Sequence, residues 1–491
     1  MTIAPLPARA ALLAVALLAA CGGKDAGPDP RYDVSSAPDR YRAVAEQFAK
    51  EAQASGAPGA ALGIIEDGKL VYAVGVGKKD PRGATRTGAD TLFRIGSCTK
   101  MMTALAALQE VQAGRLGLDD AVVSRVPGFH LKADDVSGIT LRQLLEHTSG
   151  LADYLEVDAS AAERTDAALA GFFSGRYADL GYLSSPPGRF YNYSNPGYML
   201  AGLAAETTSG LPYRQLLEER VFAPLGMTRT FLLPTDVLAD GDFAVARTGT
   251  GLAASYVEPG AYDNGWARPA GYAWSSLADL ARLAGFVMDG APGVLSPQLH
   301  TLMTSPDLDT QELLDLVHYG YGLQELDGFG LSSGWYGVKV LAHDGSIPGF
   351  SASMFMLPTL RFGVVTLASG DGVSFGGTLA AALGALPALP APTTAPSFTP
   401  DVGTFPEETG TYEDPHLAGT VTVTFVNGNL RVDMPEVTAA GYVYDPVLVP
   451  LSPRNFLLKI AGTTTQVTFI HEGPGKPTWL RTREFVAVRG P

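Results

Sequence analysis

A proline-rich interval late in the chain constrains the possible folds more than any other feature. Residues 387–400 contain five prolines and no charged residue, which is typical of an extended linker rather than a packed element. Hydrophobic residues make up 46% of the 491-residue chain and charged residues 17%, so most of it is expected to be folded. We predict a large domain at 38–386, a linker at 387–406 and a small domain at 407–491.

The large unit carries strand patterns at both of its ends. ALGIIE and KLVYAVGVG flank a turn at Asp67-Gly68, and WYGVKVLAH, FSASMFMLP and RFGVVTLAS come late. Helical stretches and Gly/Pro loops lie between them, and a closing helix is expected from Gly376 to Ala385. The distribution predicts an α/β domain with one sheet built from both ends of the segment and a mostly helical insert.

The small unit is all-β by pattern. Short runs such as TVTVTFV, NLRVDM, NFLLKI, QVTFIH and EFVAVR alternate with turn residues at Asn427-Gly428 and Gly462. We expect an antiparallel β module resembling a small barrel.

The N-terminus has the pattern of an export signal. Residues 10–20 form an uninterrupted apolar run after Arg9, too short to span a bilayer but suited to a secretory signal at 1–20. The end of the run, LAAC, resembles a bacterial lipobox, which implies cleavage and lipidation of Cys21; an ordinary signal with an incidental cysteine is the alternative. Residues 21–37 would form a tether. We expect an exported protein, lipid-anchored in the cell envelope on the periplasmic side or in the outer membrane.

Charge and composition exclude several other classes. There are 35 Lys+Arg against 50 Asp+Glu, a formal net charge of -15, which argues against sequence-independent nucleic-acid binding. The seven histidines show no tight metal-ligand spacing, and two cysteines cannot form a disulfide scaffold. We therefore expect neither a metal nor a cofactor, and the sequence leaves the oligomeric state open.

The strongest local motif pairs a serine with a lysine. In FRIGSCTKMMTALAAL, Ser97 and Lys100 are three residues apart at a predicted helix start, so both side chains lie on one face. A serine hydroxyl needs a base to become a nucleophile, and burial together with the positive end of a helix lowers the pKa of a lysine enough for it to act as one. The helix-start N–H groups also suit a developing oxyanion.

Two further motifs carry polar groups suited to acyl transfer. Tyr193 and Asn195 form a Y-x-N, in which the phenol can relay protons and the amide can contact a substrate carbonyl and the lysine. His343-Asp344-Gly345 follows the strand-like VKVLA. The glycine permits close backbone approach, and the N–H of Ser346 is a candidate second oxyanion donor beside that of Ser97.

Taken in order, these three motifs resemble those of the serine β-lactamase, D,D-peptidase and penicillin-fold esterase superfamily. LLEHTSGLADY, PLGMTRT, GYAWSSLADLARLA and HDGSIPGF extend the resemblance over about residues 40–385. It implies a mixed antiparallel sheet flanked by helices. It also implies a nucleophilic Ser97, Lys100 as general base, Tyr193 as acid/base and Asn195 as substrate positioner. His343 stands where a lysine is usual.

The third motif departs from the family pattern. A histidine has an ordinary pKa near ~6.5, so its charge at neutral pH is conditional. Asp344 replaces a hydroxyl residue that helps to hold a substrate carboxylate in β-lactamases, and a second carboxylate at ~4 Å costs about 1–4 kcal/mol. We expect weak anchoring of anionic β-lactams unless Asp344 points away from the cleft.

Several functions remain open on the sequence alone. We favour a serine hydrolase acting through acyl-Ser97 on small esters or D-amino-acid cell-wall peptides, with a β-lactamase as alternative. A non-catalytic lipoprotein that binds cell-wall peptides is a third possibility. The G-x-S-x-G at 372–376 matches the nucleophile elbow of α/β-hydrolases, but only His416 and His471 follow it, both beyond the linker. We therefore interpret it as a turn into the closing helix.

Overall fold

The protein is described by a computed structural model that covers residues 29–153, 163–249, 255–312 and 316–490. Its longer helices surround a central sheet. The helices are α1 (Arg42–Ser55), α2 (Thr99–Gln112), α3 (Leu141–Leu145), α4 (Ala168–Ser174), α5 (Arg176–Leu180), α6 (Asn195–Ser209), α7 (Tyr213–Leu217), α8 (Ala223–Leu225), α9 (Pro234–Asp240), α10 (Arg268–Gly271), α11 (Leu277–Asp289), α12 (Pro297–Met303), α13 (Gly376–Gly384) and α14 (Pro435–Ala439).

The strands before the linker form one large antiparallel sheet and three short ribbons. They are β1 (Gly59–Glu66), β2 (Lys69–Gly77), β3 (Phe93–Arg94), β4 (Ala246–Thr248), β5 (Ser255–Val257), β6 (Trp274–Ser275), β7 (Leu308–Asp309), β8 (Val317–Gly320), β9 (Leu323–Leu326), β10 (Phe329–Leu331), β11 (Gly334–Tyr336), β12 (Val340–Ile347), β13 (Phe350–Leu357) and β14 (Phe362–Ala368). The large sheet has the order β2-β1-β14-β13-β12-β9-β8-β7. Early and late segments therefore meet in one sheet, as the sequence predicts.

Alternation along the strands gives the large domain a core on each face of the sheet. In β1, Ala61 and Ile65 pack into the core that contains α2, α6 and α11. Leu62 and Ile64 pack on the other side, against α1 and α13. Because both faces of the sheet are covered, β1 is apolar at nearly every position and does not alternate between apolar and polar residues.

The third strand segment differs from its prediction. WYGVKVLAH does not form one strand, because Trp335 pairs with Gly330 in a separate hairpin and also exchanges two backbone hydrogen bonds with Thr393 of the linker. The chain then restarts as β12, which runs through His343-Asp344-Gly345 instead of ending before it.

The C-terminal module is a curled antiparallel sheet. Its strands are β15 (Gly410–Asp414), β16 (Gly419–Val426), β17 (Asn429–Asp433), β18 (Val449–Ser452), β19 (Asn455–Ile460), β20 (Thr463–Ile470), β21 (Trp479–Arg481) and β22 (Val486–Arg489). They are ordered β17-β16-β15-β22-β21-β20-β19-β18. The two ends meet where Leu448 N donates to Leu430 O at 3.0 Å and Val432 N donates to Pro446 O at 2.8 Å. The sheet closes into a barrel around its own core.

A buried arginine docks the module on the large domain. Arg481 of β21 donates to the backbone carbonyls of Tyr191 and Thr310 and to Thr468 Oγ1. Only 4% of Arg481 is exposed. The module is therefore held beside the loop that precedes α6, which is where the Y-x-N motif lies.

The predicted signal at 1–20 and Cys21 lie outside the described residues, as does most of the tether. Among the helices that the structure does describe, none combines the length and apolarity needed to cross a bilayer.

Candidate active site

Ser97 and Lys100 are held together at the start of α2. Ser97 lies on a 3-10 turn, Gly96–Cys98, and Lys100 is in the first turn of the helix that follows. Lys100 Nζ lies 3.2 Å from Ser97 Oγ. Ser97 is partly exposed and Lys100 is fully buried. A substrate can therefore reach the hydroxyl while the amine stays out of bulk water.

The other contacts of Lys100 determine which way its amine points. Nζ donates to Asn195 Oδ1 at 2.7 Å and to the backbone carbonyl of Ala270. A neutral amine has two N–H bonds and one lone pair. With both N–H bonds directed at these oxygens, the lone pair faces the hydroxyl of Ser97. This is the geometry in which a lysine accepts a serine proton.

The environment of Lys100 favours the neutral form. Burial lowers its pKa well below the ordinary value, and the nearby Arg483 lowers it further, whereas Asp153 and Cys98 oppose the shift. The start of α2 adds the positive end of the helix dipole. Burial is the largest of these effects because little solvation remains for an ammonium ion there.

The Y-x-N motif lies beside the amine of Lys100. Asn195 begins α6, whose first turn is capped by Ser194 Oγ accepting from Gly197 N at 3.2 Å. The Tyr193 ring centroid lies 4.9 Å from Lys100 Nζ. The His147 ring packs against that ring at an interplanar angle of 34°, with centroids 4.2 Å apart, and its Nδ1 accepts from Ser194 N at 3.0 Å. The Tyr193 ring is thus held beside the amine by its neighbours.

Two glycines allow β12 to pack directly against the 3-10 turn that carries Ser97, here called the nucleophile turn. A Cβ on Gly345 would lie 1.8 Å from the carbonyl oxygen of Ile95, and a Cβ on Gly96 would lie 2.3 Å from Ser346 N. Gly96 also has a φ of +50°, which favours glycine. The amide of Ser346 therefore lies next to the residue that precedes Ser97.

His343 offers no cation to a substrate at neutral pH. It is 3% exposed, and burial followed by the charge of Lys100 lowers its pKa to about 3. Its Nδ1 lies 2.7 Å from Asp344 O, so Nδ1 carries the proton, and Nε2 accepts from the hydroxyl of Tyr319 at 3.2 Å. The conditional charge that the sequence suggests is resolved in favour of a neutral imidazole that packs in the interior.

Asp344 has the opposite orientation. It is exposed, and in the regular register of β12 with β13 its side chain alternates with that of His343. It therefore lies on the sheet face away from Lys100. Because Asp344 points away from the cleft, the condition for repulsion of anionic β-lactams by its carboxylate is not met.

Sequence reasoning missed two charged residues at the site. Asp153 Oδ1 accepts from both the backbone N and Nδ2 of Asn195, at 2.9 and 3.0 Å. Arg483 of the C-terminal module donates to Asp153 Oδ2 at 3.1 and 2.9 Å. Asp153 lies inside the family-like segment LLEHTSGLADY, which gives it a signal, whereas no motif marks Arg483.

The described residues contain no group of three or more His, Cys, Asp or Glu side chains able to hold a metal ion. What these residues do bring together is a serine, a buried amine, a phenol and an amide. That set is suited to proton transfer and acyl transfer.

The fold and this constellation define a serine hydrolase that works by acyl transfer. The family model described as Beta-lactamase matches residues 44–387, and the chain belongs to that family. A curated relative, Penicillin-binding protein 4 of Amycolatopsis lactamdurans, is 32% identical over 61% of this chain and 78% of its own length. Protein flp of Staphylococcus aureus (strain NCTC 8325 / PS 47) is 27% identical over 64% of this chain, and the match spans 59% of flp.

Solved structures extend the likeness to the C-terminal module. SurE aligns with 92% of this chain and 99% of its own at a TM-score of 0.66 and 25% identity. The octameric penicillin-binding protein homologue of Pyrococcus abyssi aligns with 91% of this chain and 99% of its own, at a TM-score of 0.62 and 21% identity. At this level of identity the likeness shows the fold alone. A D-stereospecific amidohydrolase from Streptomyces sp. aligns with 70% of this chain and 98% of its own, at a TM-score of 0.55 and 27% identity.

Proposed function

We propose that the protein hydrolyses amide or ester bonds of D-amino-acid peptides and related small acyl donors through an acyl-Ser97 intermediate. The observation that carries the proposal is the placement of Lys100, buried, 3.2 Å from Ser97 Oγ, with its N–H bonds directed at Asn195 and Ala270. The D-amino-acid preference is supported by the likeness to a D-stereospecific amidohydrolase.

Acylation begins with proton transfer from Ser97 Oγ to the neutral Nζ of Lys100. As the proton leaves, Oγ bonds to the substrate carbonyl carbon and the carbonyl oxygen becomes an oxyanion. The N–H groups of Ser97 and Ser346 stabilise that charge, because both lie at the junction of the nucleophile turn and β12. The leaving nitrogen or oxygen takes a proton relayed through the phenol of Tyr193, and the bond to carbon breaks.

Deacylation repeats the same steps with water. A water molecule attacks the acyl-Ser97 carbonyl and gives up its proton to the base formed by Lys100 and Tyr193. The bond between Oγ and the acyl carbon then breaks, Oγ regains a proton, and the acid product leaves. No redox partner or metal is required for the atoms and charges to balance.

A fluorophosphonate probe and a panel of acyl donors test this function. The probe should label wild-type protein but not Ser97→Ala, and hydrolysis of a short-chain nitrophenyl ester, a D-aminoacyl amide and a D-Ala-D-Ala peptide should disappear in the same variant. Labelling that persists in Ser97→Ala would refute the assignment of the nucleophile. No labelling and no turnover would favour a non-catalytic binder of cell-wall peptides.

A β-lactamase is the second candidate, favoured by the family model itself. The neutral His343 argues against strong anchoring of a β-lactam carboxylate by the third motif, because the position that is usually a lysine carries no charge at neutral pH. Measuring nitrocefin hydrolysis in the same panel distinguishes the two candidate functions. A kcat/KM for nitrocefin above that for the D-amino-acid substrates would reverse the proposed preference.

We further propose export and lipid anchoring through Cys21, on the strength of the apolar run and the LAAC sequence. Radiolabelled palmitate should enter the wild-type protein and not Cys21→Ser, and the wild-type protein should fractionate with envelope membranes. Equal labelling of both proteins would refute acylation at this cysteine.

A further inference from the structure

The C-terminal module extends one side chain into the active site. Arg483 lies in the tight turn between β21 and β22, which is closed by Thr482 N donating to Phe485 O at 2.9 Å and Phe485 N donating to Thr482 Oγ1 at 3.0 Å. Two residues earlier, the buried Arg481 fixes the hairpin to the large domain. The position of Arg483 is therefore set by a rigid element on the far side of the linker.

A continuous chain of hydrogen bonds leads from Arg483 to the catalytic amine. Arg483 holds one oxygen of Asp153, and the other oxygen of Asp153 holds both the backbone N and the amide nitrogen of Asn195. The amide oxygen of Asn195 accepts from Lys100. Because the amide nitrogen is held by a carboxylate, the amide oxygen must face the amine. This ties the lone-pair direction of Lys100 to Arg483.

The same guanidinium covers the ring of Tyr193. Arg483 Cζ lies 4.5 Å from the ring centroid, and the Arg483 side chain is 31% exposed. Lys100 Nζ lies 4.9 Å from that centroid. The guanidinium and the Lys100 amine are therefore less than about 10 Å apart, close enough for the charge of Arg483 to influence the protonation of the amine.

We propose that Arg483 is a positioning residue of the active site, supplied by the C-terminal module, which orients Asp153 and Asn195 and keeps the Lys100 amine in its neutral, proton-accepting form. The proposal rests on the proposed function. It gives the module a role in catalysis that no sequence motif indicates.

The charged groups around Lys100 determine the direction in which each substitution shifts the pKa of its amine. The groups that act on its protonation are Asp153, which favours the ammonium, and Arg483, which disfavours it, with Cys98 a smaller influence favouring the ammonium. The imidazoles that face it, His147 and His343, have pKa values lowered by burial and are neutral at neutral pH. The phenols of Tyr193 and Tyr198 complete the surroundings. Removing Arg483 therefore leaves the charge of Asp153 unbalanced.

Two substitutions should move the pH profile in opposite directions. The second-order rate of fluorophosphonate labelling of Ser97 should rise with pH as Lys100 loses its proton. In Arg483→Gln this rise should shift upward by about one pH unit, and in Asp153→Asn it should shift downward by a similar amount, given one unit charge at less than about 10 Å. Arg483→Lys keeps the charge and should keep the wild-type midpoint.

Arg454→Gln is the matched control, because it removes an exposed arginine of the same module. It should leave the labelling profile unchanged. A merely structural role for Arg483 would lower the melting temperature without moving the midpoint, and that result would overturn the proposal. Shifts of Arg483→Gln and Asp153→Asn in the same direction would also overturn it.

A neutral nitrophenyl ester separates positioning from direct substrate binding. Arg483→Gln should slow hydrolysis of this ester as well as of a D-peptide with a free carboxylate. A loss confined to the carboxylate-bearing substrate would overturn the positioning role in favour of a substrate contact. Failure of the proposed function is distinguishable, since wild-type Ser97 would then show no labelling at any pH.

Discussion

Replacing Gly345 by alanine should disable the oxyanion site while leaving the lysine intact. The added Cβ would lie 1.8 Å from the carbonyl oxygen of Ile95 and 2.8 Å from its carbonyl carbon, both backbone atoms. An ordinary carbon-to-oxygen contact is about 3.3 Å, so β12 must retreat by about 1.5 Å. The N–H of Ser346 moves with it.

The expected loss of activity follows from the short range of a hydrogen bond. Oxyanion donors work at about 2.7–3.1 Å, and losing one costs about 10²–10³ in kcat. We therefore expect kcat/KM of Gly345→Ala for a nitrophenyl ester to fall by about that factor, with about 1–3 kcal/mol of lost stability from overpacking. Stopped-flow acylation and thermal unfolding, measured on the same samples, separate the two effects.

Gly337→Ala provides the control, because nothing lies within 4 Å of the Cβ it would add. It should match the wild type in both measurements. If Gly345→Ala is folded and retains the wild-type acylation rate, the N–H of Ser346 does not serve the oxyanion and the reasoning fails.

Three further predictions concern the third motif and the module. Asp344→Thr should leave kcat/KM for penicillin-type substrates relative to esters unchanged, because the side chain lies on the face of β12 away from Lys100; a relative gain would show that the carboxylate does reach the substrate. Because the pKa of His343 falls from 6.5 to about 3 on folding, only the unfolded chain binds its proton between those values. The free energy of unfolding should therefore decrease by about 1.4 kcal/mol per pH unit as the pH drops through that window; an equal slope in denaturant titrations of His343→Asn would contradict this. Arg481→Met leaves the carbonyls of Tyr191 and Thr310 without their donor and should lower stability by about 2–4 kcal/mol. Protease cleavage within 387–400 should become faster, and unchanged proteolysis would show that the arginine does not dock the module.

Local patterns predicted much of the sheet because they act over a few residues. The turn at Asp67-Gly68 falls between β1 and β2 as expected, with φ of 49° and 71° that suit Asp-Gly. FSASMFMLP and RFGVVTLAS became β13 and β14. The break after Trp335 was not predictable, since it depends on pairing with Thr393, 58 residues away.

Some residues of the site could likewise be predicted from local sequence, whereas others depend on how distant segments pack. Ser97 and Lys100 are close because a helix turn places them so, and the sequence contains that information. Asp153 and Arg483 are 330 residues apart, and their pairing depends on how the module docks. The neutral state of His343 depends on its burial beside Lys100, which a strand pattern does not reveal.

The protonation state of Lys100 tests most directly whether this amine acts as the general base. With 13C-labelled lysine, the Cε signal of Lys100 can be assigned by its absence from the spectrum of Lys100→Met and followed as a function of pH. This signal should titrate well below those of the other lysines of the chain, since burial lowers the pKa of this amine. Titration together with the surface lysines would contradict a neutral general base and the mechanism built on it.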